Sequence, residues 1–255
     1  MKVTILGCGS SSGVPFINGF WGNCDPSNPK NKRLRASVCV HHNNKNILID
    51  CSPDVRFQLL QNGIKDIDAV LFTHAHADHC HGLNDLGLIS RFKKKEIPLY
   101  GDKKTMDQIQ HAFGYAFPQE ADEGFYRHFV TANIIDDSPF ELEGLKIHHF
   151  EQDHGVTTSR TFRIGKFAYS TDVKTLTKDQ LDNLKGLDVW VVDCLREAPH
   201  LTHSHLEQTL EWIEYVKPKR AILTHLSIEL DYDDLMKKLP ASVEPAYDGL
   251  VFDVG

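Results

Sequence analysis

The sequence predicts an α/β protein: one domain over residues 1–255, with two mixed β-sheets packed together and sandwiched between helices in four layers. Three observations predict it. Hairpin-linked apolar strands come first. Strand–helix alternation then recurs in both halves, as parallel strands with crossover helices require. The run 188–193 is apolar apart from its ends, the pattern of a central strand covered on both faces.

The elements follow in order. Residues 3–7 read as a strand that ends at Gly7, and the small residues from Gly7 to Gly13 make a loop. Its glycine spacing is not that of a dinucleotide fingerprint, and no Lys-Ser/Thr follows to make a P-loop. A plain connection is the simpler reading, with a phosphate-facing loop as the alternative. Residues 14–35 are loop-like, with Pro15, Pro26 and Pro29. Strands at 36–42 and 46–50 flank His42-Asn43-Asn44-Lys45, a hairpin turn. A helix starts at Ser52-Pro53 with proline in its first turn and stops at Gly63. After strand 69–73, Leu83, Leu86, Ile89 and Phe92 repeat every three residues and predict a helix. A strand at 97–100 and a helix at 103–114 follow. Residues 115–140, with Phe117-Pro118 and Gly124-Phe125-Tyr126, read as a long irregular loop, a place where lids and binding surfaces occur. Strands at 145–150, 160–164, 167–170, 188–193 and 220–224 make the second half, with helices at 177–184 and 231–238. Ser204-His-Leu-Glu207 has the form of a capping box that opens a helix with Leu206, Leu210, Ile213 and Val216 on its apolar face.

The stretch Asp68–Gly82 organises the chain. An apolar run ends in His74, His76, Asp78, His79 and His81 within eight residues. Imidazole and carboxylate suit zinc and neighbouring divalent ions. His74 and His76 alternate, so an extended chain projects them to one side. Asp78 and His79 cannot share that side unless the chain turns, which presents a second group beside the first. Three later strands also end in a candidate ligand: His154, Asp172 and His225. Strand ends gather at one edge of a sheet. His74, His76 and His154 would form one site, and Asp78, His79 and His225 a second. Asp172, with two oxygens, would bridge them. His81 lies beyond the tight group and is expected to stand outside the coordination.

The motif His74-Ala-His76-Ala-Asp78-His79, with its later ligands, resembles the metallo-β-lactamase superfamily over nearly the whole chain. The resemblance implies an αββα sandwich. Gly7-Cys-Gly-Ser-Ser-Ser-Gly-Val-Pro15, His203 placed 22 residues before His225, and the closing Tyr247-Asp-Gly-Leu-Val-Phe-Asp253 look closest to its phosphodiesterase branch. That branch includes phosphoribosyl 1,2-cyclic phosphate phosphodiesterase and tRNA 3′-processing endonucleases. What this implies is a dinuclear phosphodiesterase acting on a small phosphodiester, cyclic or ribose- or nucleotide-like, with two divalent ions, Zn or Mn, Fe being compatible. Enzymes of the branch can carry a structural zinc on clustered cysteines before the hairpin. Only Cys24 stands there, so none is expected. Metal coordination brings the pKa of water to ~7, and a general acid would protonate the departing alkoxide. His203 is the candidate, with His205 its competitor and His200 nearby.

Composition bounds the alternatives. Hydrophobic residues make 41% and charged residues 25%, ordinary for a globular protein. The net charge of −7 does not favour a nucleic-acid partner. The basic runs Lys30–Arg35 and Lys93–Lys95 read as solvated surface. No apolar run reaches the ~20 residues of a membrane span, and no signal peptide is seen, so cytoplasmic residence is expected. The six scattered cysteines are expected to be free. A homodimer is compatible with the sequence. The rival activities are tRNA 3′-end processing, thioester or lactam hydrolysis, and a non-catalytic metal-binding role.

Overall fold

The structure is a computed structural model that describes residues 1–118 and 128–255. Strand β1 (Lys2–Gly7) pairs antiparallel with β2 (Ser37–His42), and β2 with β3 (Lys45–Ile49). The two-residue turn between β2 and β3 has Asn43 and Asn44 at φ 48° and 61°, the left-handed pair that a tight hairpin demands and that asparagine tolerates. Helix α1 (Val55–Gln61) starts two residues later than the sequence suggests, with Pro53 still in the preceding turn. Then come β4 (Ala69–Leu71), the single-turn helix α2 (Ala77–Cys80) and α3 (Leu86–Lys93). The expected helix through Leu83 and Phe92 is therefore interrupted. Residues 83–85 form a 3-10 turn that shifts the phase, so Leu83 and Leu86 are buried while Phe92 is exposed.

Strand β5 (Ile97–Gly101) and helix α4 (Lys103–Ala112) stand where expected. The region 115–140 is not wholly irregular. It contains β6 (Val130–Ile134), an edge strand parallel to β5, and its end opens β7 (Phe140–Leu142). Both are too short and too exposed to show apolar alternation. Gly124-Phe125-Tyr126 lies outside the described residues. Beyond it are β8 (Leu145–Asp153), β9 (Thr158–Ile164), β10 (Phe167–Ser170), α5 (Lys178–Asp182) and β11 (Val189–Asp193). Next are α6 (Leu206–Val216), β12 (Arg220–Thr224), α7 (Tyr232–Lys238), β13 (Val243–Pro245) and β14 (Val251–Asp253). The capping box sits at α5, not α6. Thr177 Oγ1 accepts from Gln180 N, and Gln180 Oε1 accepts from Thr177 N. Ser204 instead donates to the carbonyl of Asp193 (2.7 Å), and His205 is the boundary residue of α6 without a side-chain cap.

The strands form two seven-stranded sheets, β14-β1-β2-β3-β4-β5-β6 and β13-β12-β11-β10-β9-β8-β7. Each is antiparallel over four strands and parallel over the other side, a repeat of topology that the residues do not carry. Alternation decides the layers. In β3, Ile47 and Ile49 join the core between the sheets, while Leu48 faces α1, α3 and α4. In β11, Val189 and Val191 join the central core, while Trp190 and Val192 face α5, α6 and α7. Strands buried on both faces explain the unbroken apolar runs. This is the αββα sandwich that the resemblance implies. Among the described residues no helix is long and apolar enough to cross a membrane, and all six cysteines are buried free thiols.

The opening and closing motifs meet through Asp248. Its carboxylate accepts from the backbone of Cys8 (3.1 Å) and of Leu34 (2.7 Å). Burial pushes that carboxyl up to about 7. Because the folded value stands above the ordinary 3.8, its stabilisation is full below about pH 4 and is lost as the pH rises to 7. Asp248→Ala strands two buried donors and is expected to cost about 2–5 kcal/mol at pH 5. The loss should be smaller at pH 7.5. Urea unfolding at the two pH values checks both magnitude and sign.

Candidate metal centre

The C-terminal ends of β4, β8, β10 and β12 converge at one edge of the sandwich and deliver the predicted residues there. After β4, Thr73 donates from its backbone and hydroxyl to the two oxygens of Asp50 (2.8 Å each). The short helix α2 turns His79 back, and His79 Nδ1 donates to Asp50 Oδ2 (2.8 Å). Cys51 N and Gly82 N tie that turn to the end of β3. A Cβ on Gly82 would lie 2.0 Å from the Ser52 carbonyl, so only glycine lets the loop close.

Two groups of donor atoms result, each within 4.8 Å mutually: His74, His76, His154 and Asp172, then Asp78, His79, Asp172 and His225. In the first, His74 Nε2 and His154 Nε2 lie 2.9 and 3.3 Å from His76 Nδ1, and 3.9 and 3.6 Å from Asp172 Oδ1. In the second, His79 Nε2 lies 3.1 Å from Asp172 Oδ2 and 3.2 Å from Asp78 Oδ2. His225 Nε2 is 3.6 Å from Asp172 Oδ1 and 3.7 Å from Asp78 Oδ2. Asp172 thus belongs to both groups. His81, exposed and edge-on to Phe113, belongs to neither.

The residues fit divalent ions. Among the described residues His79 Nε2 and His225 Nε2 are buried without a hydrogen-bond partner, which is costly unless something else occupies them. His154 Nδ1 donates to the Thr202 carbonyl (2.8 Å), which leaves its Nε2 lone pair pointing into the first group. Burial holds the His74, His76 and His154 imidazoles below their ordinary range, hence neutral, the form that binds metal. Burial opposes protonation of His79 too, but the Asp172, Asp78 and Asp50 carboxylates outweigh it and raise its pKa well above the usual value. Asp172, despite burial, is held well below the carboxylate range by His225, His79 and His74.

Beside these groups stands His203. Its Nδ1 donates to Asp193 Oδ2 (2.9 Å), its Nε2 is 3.9 Å from Asp172 Oδ1, and its ring stacks on His225 at 4.6 Å. Burial works against its charge, yet Asp193 and Asp172 raise it to about 9. His200 sits 5.4 Å from the His203 ring, and His205 is turned into the start of α6. Sequence reasoning missed Asp50 and Asp193. Both are fully buried carboxylates just after or at the end of an apolar strand, and that placement was the available signal.

Residues 45–226 match the family described as the beta-lactamase superfamily domain. The chain belongs to that superfamily. Its fold family works with divalent metals, and the His and Asp groups stand where the superfamily motif predicts. A solved diphosphatase of the PhnP family superposes with a TM-score of 0.90 at 35% identity, covering 100% of this chain and 98% of that one. The octanoyltransferase of Porphyromonas gingivalis is 31% identical over 98% of this chain and 51% of its own length. Ribonuclease Z of Clostridium acetobutylicum is 30% identical over 65% of this chain and 53% of its own. The superfamily chain thus spans about half the length of these two curated relatives.

A direct test of the donor groups is metal content. His76→Ala removes one nitrogen from the first group and none from the second, so elemental analysis of the purified variant should show fewer ions per chain than wild type. Unchanged occupancy would overturn the grouping.

Proposed function

We propose that the protein is a dinuclear metal-dependent phosphodiesterase that hydrolyses a small phosphodiester, cyclic or ribose- or nucleotide-like. The observation that carries this reading is the pair of donor groups sharing Asp172, with the His203–Asp193 pair beside them. His74, His76, His154 and Asp172 would hold one ion, and Asp78, His79, His225 and Asp172 the other. Divalent ions bound there would offset phosphate charge and acidify water. Zn or Mn suits the ligand set, and Fe is compatible with it.

The chain's own residues supply the rest. Asp193 holds the His203 ring by Nδ1, and because Asp193 and Asp172 favour the charged ring, Nε2 also carries a proton towards the centre. As a water oxygen bonds to phosphorus and gives up a proton to solvent, the P–O bond to the leaving group breaks, and the leaving oxygen keeps that bonding pair and takes the His203 proton. Asp50 anchors His79 and Thr73 and so fixes the turn that separates the two groups. Sequence likeness favours the diphosphatase, 35% identical over the whole chain against 30% over 65% of it for ribonuclease Z, while the fold by itself fits the human short-form tRNase Z over the whole chain as well.

His203→Ala is expected to retain its metals and to lose about 10²–10⁴-fold in turnover on a diester with an alkyl leaving group. The loss should be slight with bis-p-nitrophenyl phosphate, whose leaving group needs little protonation. Near-wild-type turnover on the alkyl diester would reject the assignment. Parallel assay of a thioester and a lactam panel separates the rival hydrolases.

A further inference from the structure

His203 and the carbonyl that orients His154 come from one loop, residues 197–204 between β11 and α6. Packing does little to hold it. Glu197, Ala198, Pro199 and Leu201 are exposed, Leu201 at 81%. A segment with few buried apolar contacts opens easily unless hydrogen bonds hold it. Two of them close the stem. Leu195 N donates to the Ser204 carbonyl (3.1 Å), and Leu206 N donates to the Arg196 carbonyl (2.9 Å). Ser204 N also donates to the carbonyl of Val173 (2.6 Å), which ties the stem to the residue after Asp172.

The half-buried side chain of Arg196 spans the loop beyond that stem. Its Nε donates to the Ala198 carbonyl (3.1 Å) and its Nη2 to the Pro199 carbonyl (2.7 Å). Its Nη1 lies 3.8 Å from Glu229 Oε1, on the chain that follows His225. That chain is fastened to the same stem, because Ser227 N donates to the Leu195 carbonyl (3.0 Å) and Glu229 N to Ser227 Oγ (3.2 Å). A planar guanidinium reaches two carbonyls and a carboxylate with donors in a fixed fork, which an ammonium cannot do. Past Pro199 the chain turns at His200, whose Nδ1 accepts from Thr202 N and Oγ1 (3.3 Å each). It then delivers the Thr202 carbonyl to His154 and the His203 ring to Asp193. Gly155, at φ 77°, lies directly under it: a Cβ there would stand 2.8 Å from the Leu201 carbonyl. Any shift of the loop therefore moves the candidate acid.

We propose that Arg196 is a positioning residue for the proton transfer: its guanidinium gathers the carbonyls of Ala198 and Pro199 and so fixes the loop that aims His203 Nε2 at the leaving oxygen. Arg196 acts through that loop and touches no reacting atom. This inference rests on the phosphodiesterase reading above.

The test follows turnover of an alkyl diester and of bis-p-nitrophenyl phosphate with divalent ions in excess. Arg196→Ala should lose about 10- to 100-fold in kcat on the alkyl diester, the size expected of an ångström-scale misplacement, with KM little changed. On bis-p-nitrophenyl phosphate it should stay within about threefold of wild type, because that leaving group needs little protonation. Arg196→Lys keeps a charge beside Glu229 without the fork, so it should show the same split with a smaller loss, and it serves if Arg196→Ala does not fold. Placed on top of His203→Ala, Arg196→Ala should cost nothing more on the alkyl diester, since two changes that act through one step do not add. Equal losses on both substrates, or losses that add to that of His203→Ala, overturn the proposal and leave Arg196 a purely structural role. Competition with a chelator supplies a readout without activity. Arg196→Ala should release one ion about tenfold more readily, because the Thr202 carbonyl no longer steadies His154. If wild type hydrolyses neither diester but the variant shows that release, the phosphodiesterase reading fails and the positioning of the loop stands. Unchanged release in that case removes the positioning as well.

Discussion

Asp172 is the group on which the centre depends. A carboxylate this deeply buried is unfavourable unless opposite charge or hydrogen bonds meet it. Here five imidazoles meet it, from β4 and its turn, from β8, from β12 and, in His203, from just before α6. Those strands belong to both sheets, so the interaction also fixes how the two halves of the sandwich meet at this edge. The apolar core between the sheets supplies the bulk of the folding energy, as hydrophobic burial does generally. The edge then holds polar groups that cannot satisfy one another completely, and among the described residues three buried histidine nitrogens, His79 Nε2 and both of His225, remain without hydrogen-bond partners.

Three of the eight non-glycine residues with positive φ among the described residues lie at the same edge. Asp50, Asp172 and His225 all adopt left-handed φ values, of 63°, 54° and 59°. Non-glycine residues there cost on the order of 1–3 kcal/mol each and persist only where the surroundings over-determine them. Each follows a strand, and the left-handed step turns the side chain off the strand's alternation into the centre. Asp50 and Asp193 then brace the imidazoles from behind. Positioning of this kind, not ligand identity alone, sets metal affinity and proton transfer.

The opening and closing motifs act on this edge indirectly. Asp248 grips Cys8 and Leu34, and the loop after Cys8 is bonded to the chain after His225. The glycine-rich opening is thus not a nucleotide fingerprint, and it connects β1 to the loop that follows along the rim of the centre. It forms a wall whose far side is Arg35, and it places a cavity against Asp78.

Residue pattern by itself determined the layer order, the hairpin at Asn43-Asn44 and all seven candidate ligands. Those depend on local chemistry and on alternation, which a strand carries in its own residues. Tertiary structure decided what local pattern does not encode. Strands β6, β7 and β13 are edges or near edges with few buried side chains, so their pairing and not their composition makes them strands. Ser204 read as a cap because its spacing fits one, yet a buried carbonyl of Asp193 competes for its hydroxyl and wins. Arg33 and Arg35 look equivalent in sequence, and only packing sends one into the interior and the other to the rim of the centre. Asp50 and Asp193 carry no motif, because a carboxylate that braces a histidine is recognisable only once the fold has brought the histidine to it.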